Sequence, residues 1–225
     1  MRALDEELVG ELRGLLGDGA VATDPGELAS RTRDCWPGLT IRERAGEALP
    51  QPGAVVWPAD TAQVSALYAW ASERGVAVVP YGGGGGVTGG ATPLAGCLMV
   101  DTKRMTAIGP LDEVSGLVTV GPGVIGQTLE EWLGYRGWTL GHFPSSITVS
   151  SVGGFAAARS AGQASTKYGK FEHMVAGLEA VLPDGTVLRR TPQDRAVGQH
   201  RLQAGDHVLE LAVLGGGLPG RARRG

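Results

Sequence analysis

A run of five glycines, residues 82–86, is the part of this sequence best suited to binding an anion. Glycine has no Cβ and tolerates positive φ, so successive backbone N–H groups can point into one concavity. Such a concavity binds phosphate oxygens without any basic side chain. Only Pro80 and Tyr81 separate the run from the apolar residues 76–79, and a flexible linker is not expected so close to a buried strand. The glycines therefore predict a phosphate or pyrophosphate site.

Two common phosphate-binding loops do not fit the residues around this run. A P-loop needs Gly-Lys-Ser or Gly-Lys-Thr, and neither tripeptide occurs in the sequence. A Rossmann loop opens a helix and is followed by an acidic residue about 20 positions further on. Asp101 lies at that distance, but residues 88–93 cannot begin a good helix. A non-flavin nucleotide-binding protein is therefore disfavoured.

A second cluster of small and hydroxyl-bearing residues lies about 60 positions further along the chain. It consists of Gly141-His142-Phe143-Pro144-Ser145-Ser146 and then Ser150-Ser151-Val152-Gly153-Gly154. Hydroxyls and backbone donors before a helix N-terminus favour an anion, although a capped helix alone would also explain this cluster. Two such clusters in one chain favour a ligand with a diphosphate over one with a single phosphate.

Alternating short strands and helices must hold the two clusters in place. Residues 54–57 and 76–79 predict the two strands of a β-α-β unit. Asp60, with Gln63 at the capping-box position, predicts the start of the helix between them, and Gly75 predicts its end. Further strands are predicted at 97–100, 117–120, 175–182 and 186–189, and further helices at 125–135 and 152–160. Pro183-Asp184-Gly185 predicts a hairpin turn between the last two strands, and this mixture of elements indicates an α+β or α/β domain.

Four segments, taken together and in order, resemble one protein family. They are Pro80-Tyr81-Gly82-Gly83-Gly84-Gly85-Gly86-Val87, Gly141-His142-Phe143-Pro144, Ser150-Ser151-Val152-Gly153-Gly154 and Ala158-Arg159-Ser160-Ala161-Gly162. The family is the FAD-binding domain of the vanillyl-alcohol-oxidase type, also called PCMH-type, and the resemblance extends from Ala54 to Leu188. His142 and the Arg-Ser-Ala-Gly stretch most resemble the alkyldihydroxyacetonephosphate synthase branch, near FAD-linked oxidases such as glycolate oxidase and D-lactate dehydrogenase. The resemblance implies an α+β fold of two α/β subdomains.

The resemblance also implies FAD as the cofactor, with residues 82–86, called the glycine loop from here on, around its pyrophosphate. The serines of the second cluster and the glycines after them would line a second flavin-contacting segment, and Arg159 and Ser160 a third. The implied cofactor-binding residues are Pro80, Tyr81, Gly82, Gly83, Gly84, Gly85, Gly86, Val87, His142, Pro144, Ser145, Ser146, Ser150, Ser151, Gly153, Gly154, Arg159 and Ser160. Relatives that bind flavin covalently often carry His or Cys in this loop. The loop has neither, so non-covalent FAD is expected.

Some of these residues also have a purely structural interpretation. His142 is either a residue near the isoalloxazine edge or a hydrogen-bonded structural histidine. Arg159 is either a flavin contact or a salt-bridged surface arginine. Asp101 and Lys103 follow a strand and predict a turn or an ion pair rather than a catalytic dyad. No catalytic residue is assigned from the sequence.

Three segments are predicted along the chain. Residues 1–50 are an N-terminal helical and irregular segment, residues 51–192 the PCMH-type FAD-binding domain, and residues 193–225 an atypical Gly/Arg-rich tail, either truncated or out of frame, or else basic and disordered. The family carries catalytic groups on a C-terminal cap domain, which is expected to be absent here. The predicted function is therefore the flavin-binding portion of an FAD-linked oxidoreductase, either an oxidase or dehydrogenase or a protein similar to the synthase. The alternative is a non-catalytic FAD-binding module or truncated pseudoenzyme.

Composition narrows the class of protein further. Of the 225 residues 42% are hydrophobic and 19% charged, which is typical of a folded domain. A net charge of −3 leaves no electrostatic footprint for nucleic acid, and no apolar run predicts a transmembrane segment. Cys35 and Cys97 form no metal-ligand pattern and are expected to be buried thiols, which together with an acidic N-terminus indicates a cytoplasmic protein. A small-molecule substrate is expected if the protein is active, and a homo-oligomer is left open.

Overall fold

The computed structural model describes residues 3–190 and 207–214, which form two four-stranded sheets with helices packed against them. One sheet is mostly parallel and the other is antiparallel. This confirms the prediction of an α+β fold built from two α/β subdomains.

The first subdomain contains the mostly parallel sheet. Its elements are α1 (Glu6–Leu16), β1 (Val21–Ala22), α2 (Pro25–Ala29), α3 (Pro37–Arg44), β2 (Ala54–Val56), α4 (Thr61–Arg74), β3 (Val78–Tyr81) and β4 (Leu98–Asp101), with short 3-10 turns at Asp18–Ala20 and Thr102–Arg104. The strand order is β1-β2-β4-β3, with β1 antiparallel to its neighbour and the other three parallel. The predicted β-α-β unit is present, and β4 lies between its two strands.

Local sequence sets both ends of α4. Asp60 Oδ1 accepts a hydrogen bond from Gln63 N at 2.8 Å, and Gly75 ends the helix in the left-handed conformation with φ of 65°. The Gln63 side chain accepts from Ala59 N at 2.8 Å, one residue before the position that a capping box predicts. The predicted start and end of this helix are therefore confirmed.

The parallel sheet is buried on both faces. Val56 and Leu98 pack into the core formed with α1 and α4, whereas their neighbours Val55 and Met99 pack into a core on the opposite face. This alternation follows from the period of two along a strand. Tyr81 pairs with Asp101 at the carboxyl ends of β3 and β4, so the glycine loop begins at the edge of the sheet where Asp101 lies.

The second subdomain contains the antiparallel sheet. Its elements are β5 (Leu117–Val120), α5 (Gly126–Gly134), α6 (Val152–Ala157), α7 (Ser165–Tyr168), α8 (Phe171–Met174), β6 (Val175–Val181), β7 (Val187–Arg190) and β8 (His207–Leu214). The strand order is β5-β8-β6-β7. The predicted hairpin joins β6 and β7, whereas the helix predicted at 152–160 ends earlier, at Ala157.

A strand from the predicted tail lies inside this second sheet. The backbone of β8 pairs with β5 on one side and with β6 on the other. Residues 207–214 therefore contribute a central strand to this sheet. The remainder of the predicted tail, residues 193–206 and 215–225, lies outside the described residues.

The β6–β7 hairpin packs against α4 of the first subdomain. Ser65 Oγ donates a hydrogen bond to Gly185 O at 2.6 Å, and Thr61 Oγ1 donates to Glu179 Oε1 at 2.5 Å. Val181 of β6 is fully buried in the core formed by α1 and α4. These contacts fix the position of one sheet relative to the other.

The helices and the two cysteines bear on the remaining predictions from composition. No helix in residues 3–190 is both long and apolar enough to cross a bilayer. Cys97 is buried as expected, whereas the expectation was wrong for Cys35, which is exposed on a segment beside the glycine loop.

Candidate functional site

The two clusters of small residues, far apart in sequence, lie directly against each other. An ideal Cβ placed on Gly83 would lie 1.7 Å from Val149 O, one on Gly82 would lie 2.3 Å from Ser151 Oγ, and one on Gly85 would lie 2.6 Å from Ser150 Oγ. At Gly83 the obstacle is a backbone carbonyl, so no side chain fits there unless the chain moves. At Gly82 and Gly85 the obstacle is a serine hydroxyl, which a side-chain rotation can move. The close approach of residues 145–151, called the serine segment from here on, therefore restricts three positions of the glycine loop, most strictly Gly83.

Hydrogen-bond donors without acceptors collect where the loop and the segment meet. Within the described residues, none of the five N–H groups of the glycine loop donates a hydrogen bond, and neither do the hydroxyls of Ser145, Ser146 and Ser150. Most of the loop is only half-buried, so these groups are accessible to a ligand. The N–H groups and hydroxyls together are suited to bind an anion with several oxygens.

Backbone hydrogen bonds hold the serine segment in its conformation. The first N–H groups of α5 donate into it, Gly126 N to Ser150 O at 3.0 Å and Gln127 N to Ile147 O at 2.9 Å. These bonds satisfy donors that a helix N-terminus otherwise leaves without partners. The N-terminus of helix α5 therefore holds the serine segment through backbone hydrogen bonds. The serine hydroxyls are not needed to hold the segment in its conformation.

The glycines at the start of α6 have N–H groups that are already in use. Gly153 N donates to Pro122 O at 2.9 Å, and Gly154 N donates to Ser151 Oγ, the N-cap, at 3.2 Å. Ser151 itself is almost fully buried. Ser151, Gly153 and Gly154 therefore fit the interpretation of this part of the second cluster as a capped helix. Their predicted contact with the cofactor stays a prediction.

Tyr81 supports the middle of the glycine loop. Gly84 has a φ of 69°, and an ideal Cβ there would lie 2.1 Å from the Tyr81 hydroxyl oxygen. Burial raises the pKa of the Tyr81 phenol above its ordinary value, so Tyr81 is a neutral hydroxyl at physiological pH. Arg31 and Lys103 lie over the Tyr81 ring, 5.1 Å and 5.0 Å from its centroid.

The predicted ion pair at the end of β4 is present. Lys103 Nζ lies 3.6 Å from Asp101 Oδ2, and Lys103 N donates to Asp101 Oδ1 at 2.9 Å. Asp101 is fully buried, and its principal partner is Arg31, whose Nη2 lies 2.8 Å from Oδ2. The sequence did not indicate this arginine, because residues 1–50 carry no motif.

The other predicted residues flank the loop and the segment. Pro80 pairs with Val100 inside the sheet, and Val87, just after the loop, is exposed. Pro144 is buried, and its carbonyl oxygen accepts a hydrogen bond from Ile147 N at 3.0 Å. These three residues lie at the borders of the glycine loop and the serine segment. Their contacts with the cofactor stay predictions.

His142 lies in the core of the second subdomain. Its side chain is 2% exposed, its ring packs against Phe155 and Phe171 with centroids 4.8 Å and 5.2 Å away, and Nε2 shares a hydrogen bond of 3.0 Å with Ser160 Oγ. The buried Nδ1 has no partner among the described residues. Burial lowers the pKa of His142 to about 4, so the imidazole is neutral at physiological pH. This environment favours the structural interpretation of His142. The Ser160 hydroxyl is likewise engaged in the hydrogen bond to the imidazole.

Arg159 is the one described residue other than glycine with a positive φ, at 49°. Ser160 N donates to Phe155 O at 2.9 Å and Arg159 N donates to Ala156 O at 3.1 Å, which is the pattern of a Schellman motif. This motif usually has glycine where Arg159 lies. The guanidinium is exposed and forms an ion pair with Glu172, as the surface-arginine interpretation predicts. The ion pair lowers the pKa of Glu172.

Replacing Arg159 with glycine should stabilise the ligand-free chain. The variant removes the strain of a left-handed non-glycine residue and gives up only an exposed ion pair, which contributes little. We expect Tm, followed by circular dichroism, to rise by about 2–4 °C. Glu172→Gln is the matched control, since it removes the ion pair and leaves the backbone strain. An equal fall in Tm for Arg159→Gly and Glu172→Gln would show that the ion pair outweighs the backbone strain.

Comparison with known proteins gives consistent matches. Residues 52–191 match the FAD binding domain family. The alkyldihydroxyacetonephosphate synthase of Trypanosoma brucei brucei is 35% identical over 160 residues, 69% of this chain and 25% of that protein. An uncharacterized FAD-linked oxidoreductase of Escherichia coli strain K12 is 36% identical over 183 residues, 81% of this chain and 38% of that protein. The chain thus spans about a quarter to two fifths of the length of these relatives.

Solved structures show the same similarity. An alkyldihydroxyacetonephosphate synthase superposes with a TM-score of 0.86 at 26% identity, covering 96% of this chain and 41% of that one. p-Cresol methylhydroxylase superposes with a TM-score of 0.74 at 20% identity, covering 92% of this chain and 42% of that one, which shows a shared fold.

Proposed function

The chain belongs to the FAD binding domain family, and on this premise we propose that residues 51–192 hold FAD without a covalent bond, its pyrophosphate on the glycine loop. FAD as the cofactor and membership among FAD-linked oxidoreductases follow from the family. The resemblance seen in the sequence is thereby confirmed.

One observation carries this assignment. The glycine loop and the serine segment, brought together by the fold, present five N–H groups and three hydroxyls that have no acceptor among the described residues. A pyrophosphate offers several oxygens and two negative charges, so it can accept from many of these donors at once. The residues present thus fit the phosphate portion of FAD.

Non-covalent attachment is supported by the residue types around the loop. The glycine loop itself offers no nucleophile, and His142 is buried behind aromatic rings. Cys35 lies beside the loop, with Cys35 N donating to Gly86 O at 2.9 Å, and its thiol is exposed and unpaired. Neither the glycine loop nor His142 is therefore indicated as an attachment point.

The chemistry proposed for the whole protein is oxidation or reduction of a small molecule. When bound, FAD supplies the site that takes up or gives up the electron pair. The glycine loop and the serine segment bind the phosphates of FAD, and Tyr81 supports the loop. A cytoplasmic location belongs to the same proposal and is supported by Cys35 and Cys97, which are both unpaired thiols.

The visible absorption spectrum of the purified chain, with and without added FAD, tests this proposal. We expect a flavin spectrum, and we expect the flavin to pass into the supernatant when the protein is precipitated by acid or heat. Flavin that stays with the precipitated protein would contradict non-covalent binding. A colourless chain that takes up no added FAD would contradict the assignment as a whole. Anaerobic bleaching by 2-hydroxy acids would separate an oxidoreductase from a non-catalytic FAD-binding module.

A further inference from the structure

A short N-terminal segment contacts the glycine loop at both of its ends. The segment, residues 31–36, lies between α2 and α3, outside the region that matches the family. It will be called the clamp. Its contacts reach the end of β3, where the chain enters the loop, and the residues just after the loop.

Arg31 holds the entry to the loop. Its Nη2 and Nε donate to Asp101 Oδ2 at 2.8 Å and 3.2 Å, and its side chain is only 12% exposed. The same guanidinium lies over the ring of Tyr81. Tyr81 in turn places its hydroxyl against Gly84, the residue of the loop with positive φ. Arg31 thus acts on the loop through Tyr81 and Asp101.

Asp34 and its neighbours hold the exit from the loop. Cys35 N donates to Gly86 O at 2.9 Å, and Asp34 Oδ2 accepts from Ala91 N at 3.5 Å. Asp34 Oδ1 accepts from Trp36 N at 2.9 Å, which fixes the carboxylate in place. The Trp36 ring lies against Gly89, where an ideal Cβ would be 3.1 Å from a ring carbon. The chain that leaves the loop is therefore contacted by the clamp at three residues, Gly86, Gly89 and Ala91.

A run of five glycines needs such support more than another loop does. Glycine loses more conformational entropy on ordering than any other residue, and a loop that is ordered before the ligand arrives binds it more tightly. We propose that the clamp preorganises the glycine loop for FAD, with Arg31 and Asp34 as positioning residues. The proposal rests on the proposed function, because the loop must hold the cofactor for its order to matter.

The test compares two arginines of the clamp. Arg31→Met removes the contacts with Asp101 and Tyr81, whereas Arg33→Met removes an exposed pair with Glu43 that does not reach the loop. We expect Kd for FAD to rise about tenfold or more in Arg31→Met and to stay within about twofold in Arg33→Met. Both are measured by quenching of flavin fluorescence well below Tm. A purely structural role would lower Tm of Arg31→Met and leave Kd of the folded protein unchanged.

Hydrogen exchange in the ligand-free chain provides a second readout, which does not depend on FAD. The Cys35 and Ala91 amides, followed by NMR, should exchange faster in Arg31→Met than in Arg33→Met. Asp34→Asn keeps the bond to Trp36 N and removes the acceptor for Ala91 N, so it tests the exit separately if Arg31→Met does not fold. Unchanged exchange together with unchanged Kd would overturn the clamp. Failure of the unaltered chain to take up FAD would instead overturn the proposed function.

Discussion

Replacing Gly83 with alanine is expected to abolish FAD retention. The added Cβ would lie 1.7 Å from Val149 O, 2.7 Å from Val149 C and 2.9 Å from Ser150 Cα. All three are backbone atoms of the serine segment, which α5 holds in place, so no side-chain rotation can relieve the contact. The loop would have to separate from the segment, and the joint set of donors would be lost. We expect Kd for FAD to increase at least about a hundredfold.

Gly90→Ala is the matched control, because it lies in the same stretch of chain. An ideal Cβ on Gly90 meets nothing within 4 Å, and the backbone there is not in the left-handed region. This variant should bind FAD within about twofold of the unaltered chain. A comparable loss in both variants would contradict the view that contact with the serine segment makes Gly83 necessary.

The glycine loop shows what a sequence can predict and what it cannot. The run of glycines and its place after a buried strand are local features, and they correctly indicate an unusual backbone. Two properties of glycine were expected to matter, the missing Cβ and the freedom to adopt positive φ, and within the loop only Gly84 has a positive φ. At Gly82, Gly83 and Gly85 the missing Cβ permits the close approach of residues more than 60 positions away. That contact depends on how the two subdomains pack, which no local pattern encodes.

The difference between local features and contacts of distant residues also separates the other predictions that the structure confirms from the features that the sequence did not indicate. The cap of α4 at Asp60, its end at Gly75 and the β6–β7 hairpin depend on neighbours a few residues apart, and all three were predictable. Strand β8 and the clamp depend on partners far along the chain. Arg31, for example, becomes significant only because its partner Asp101, seventy positions away, is buried beside the loop. The resemblance to a family named residues for the candidate site and named none within residues 1–50.

The stability of the ligand-free chain should fall as the pH drops from about 6.5 to about 4, owing to His142. An unfolded histidine has a pKa of about 6.5, and burial lowers the pKa of His142 in the folded protein to about 4. Between these values the unfolded chain binds the proton and the folded chain does not, so protonation favours unfolding. The stabilisation is complete above pH 6.5 and is lost progressively on acidification. Its full size is about 3 kcal/mol, since one pKa unit corresponds to about 1.4 kcal/mol.

Denaturant unfolding of His142→Gln across this pH range isolates the contribution. Glutamine can keep a hydrogen bond to Ser160 and does not titrate, so the slope of unfolding free energy against pH should decrease by about 1.4 kcal/mol per pH unit. Ser160→Ala is the control, because it removes the partner of Nε2 and keeps the imidazole. It should lower stability at every pH and retain the slope. An unchanged slope in His142→Gln would mean that the imidazole accepts a proton without unfolding, and His142 would then have to be exposed to solvent or to a ligand rather than packed between Phe155 and Phe171.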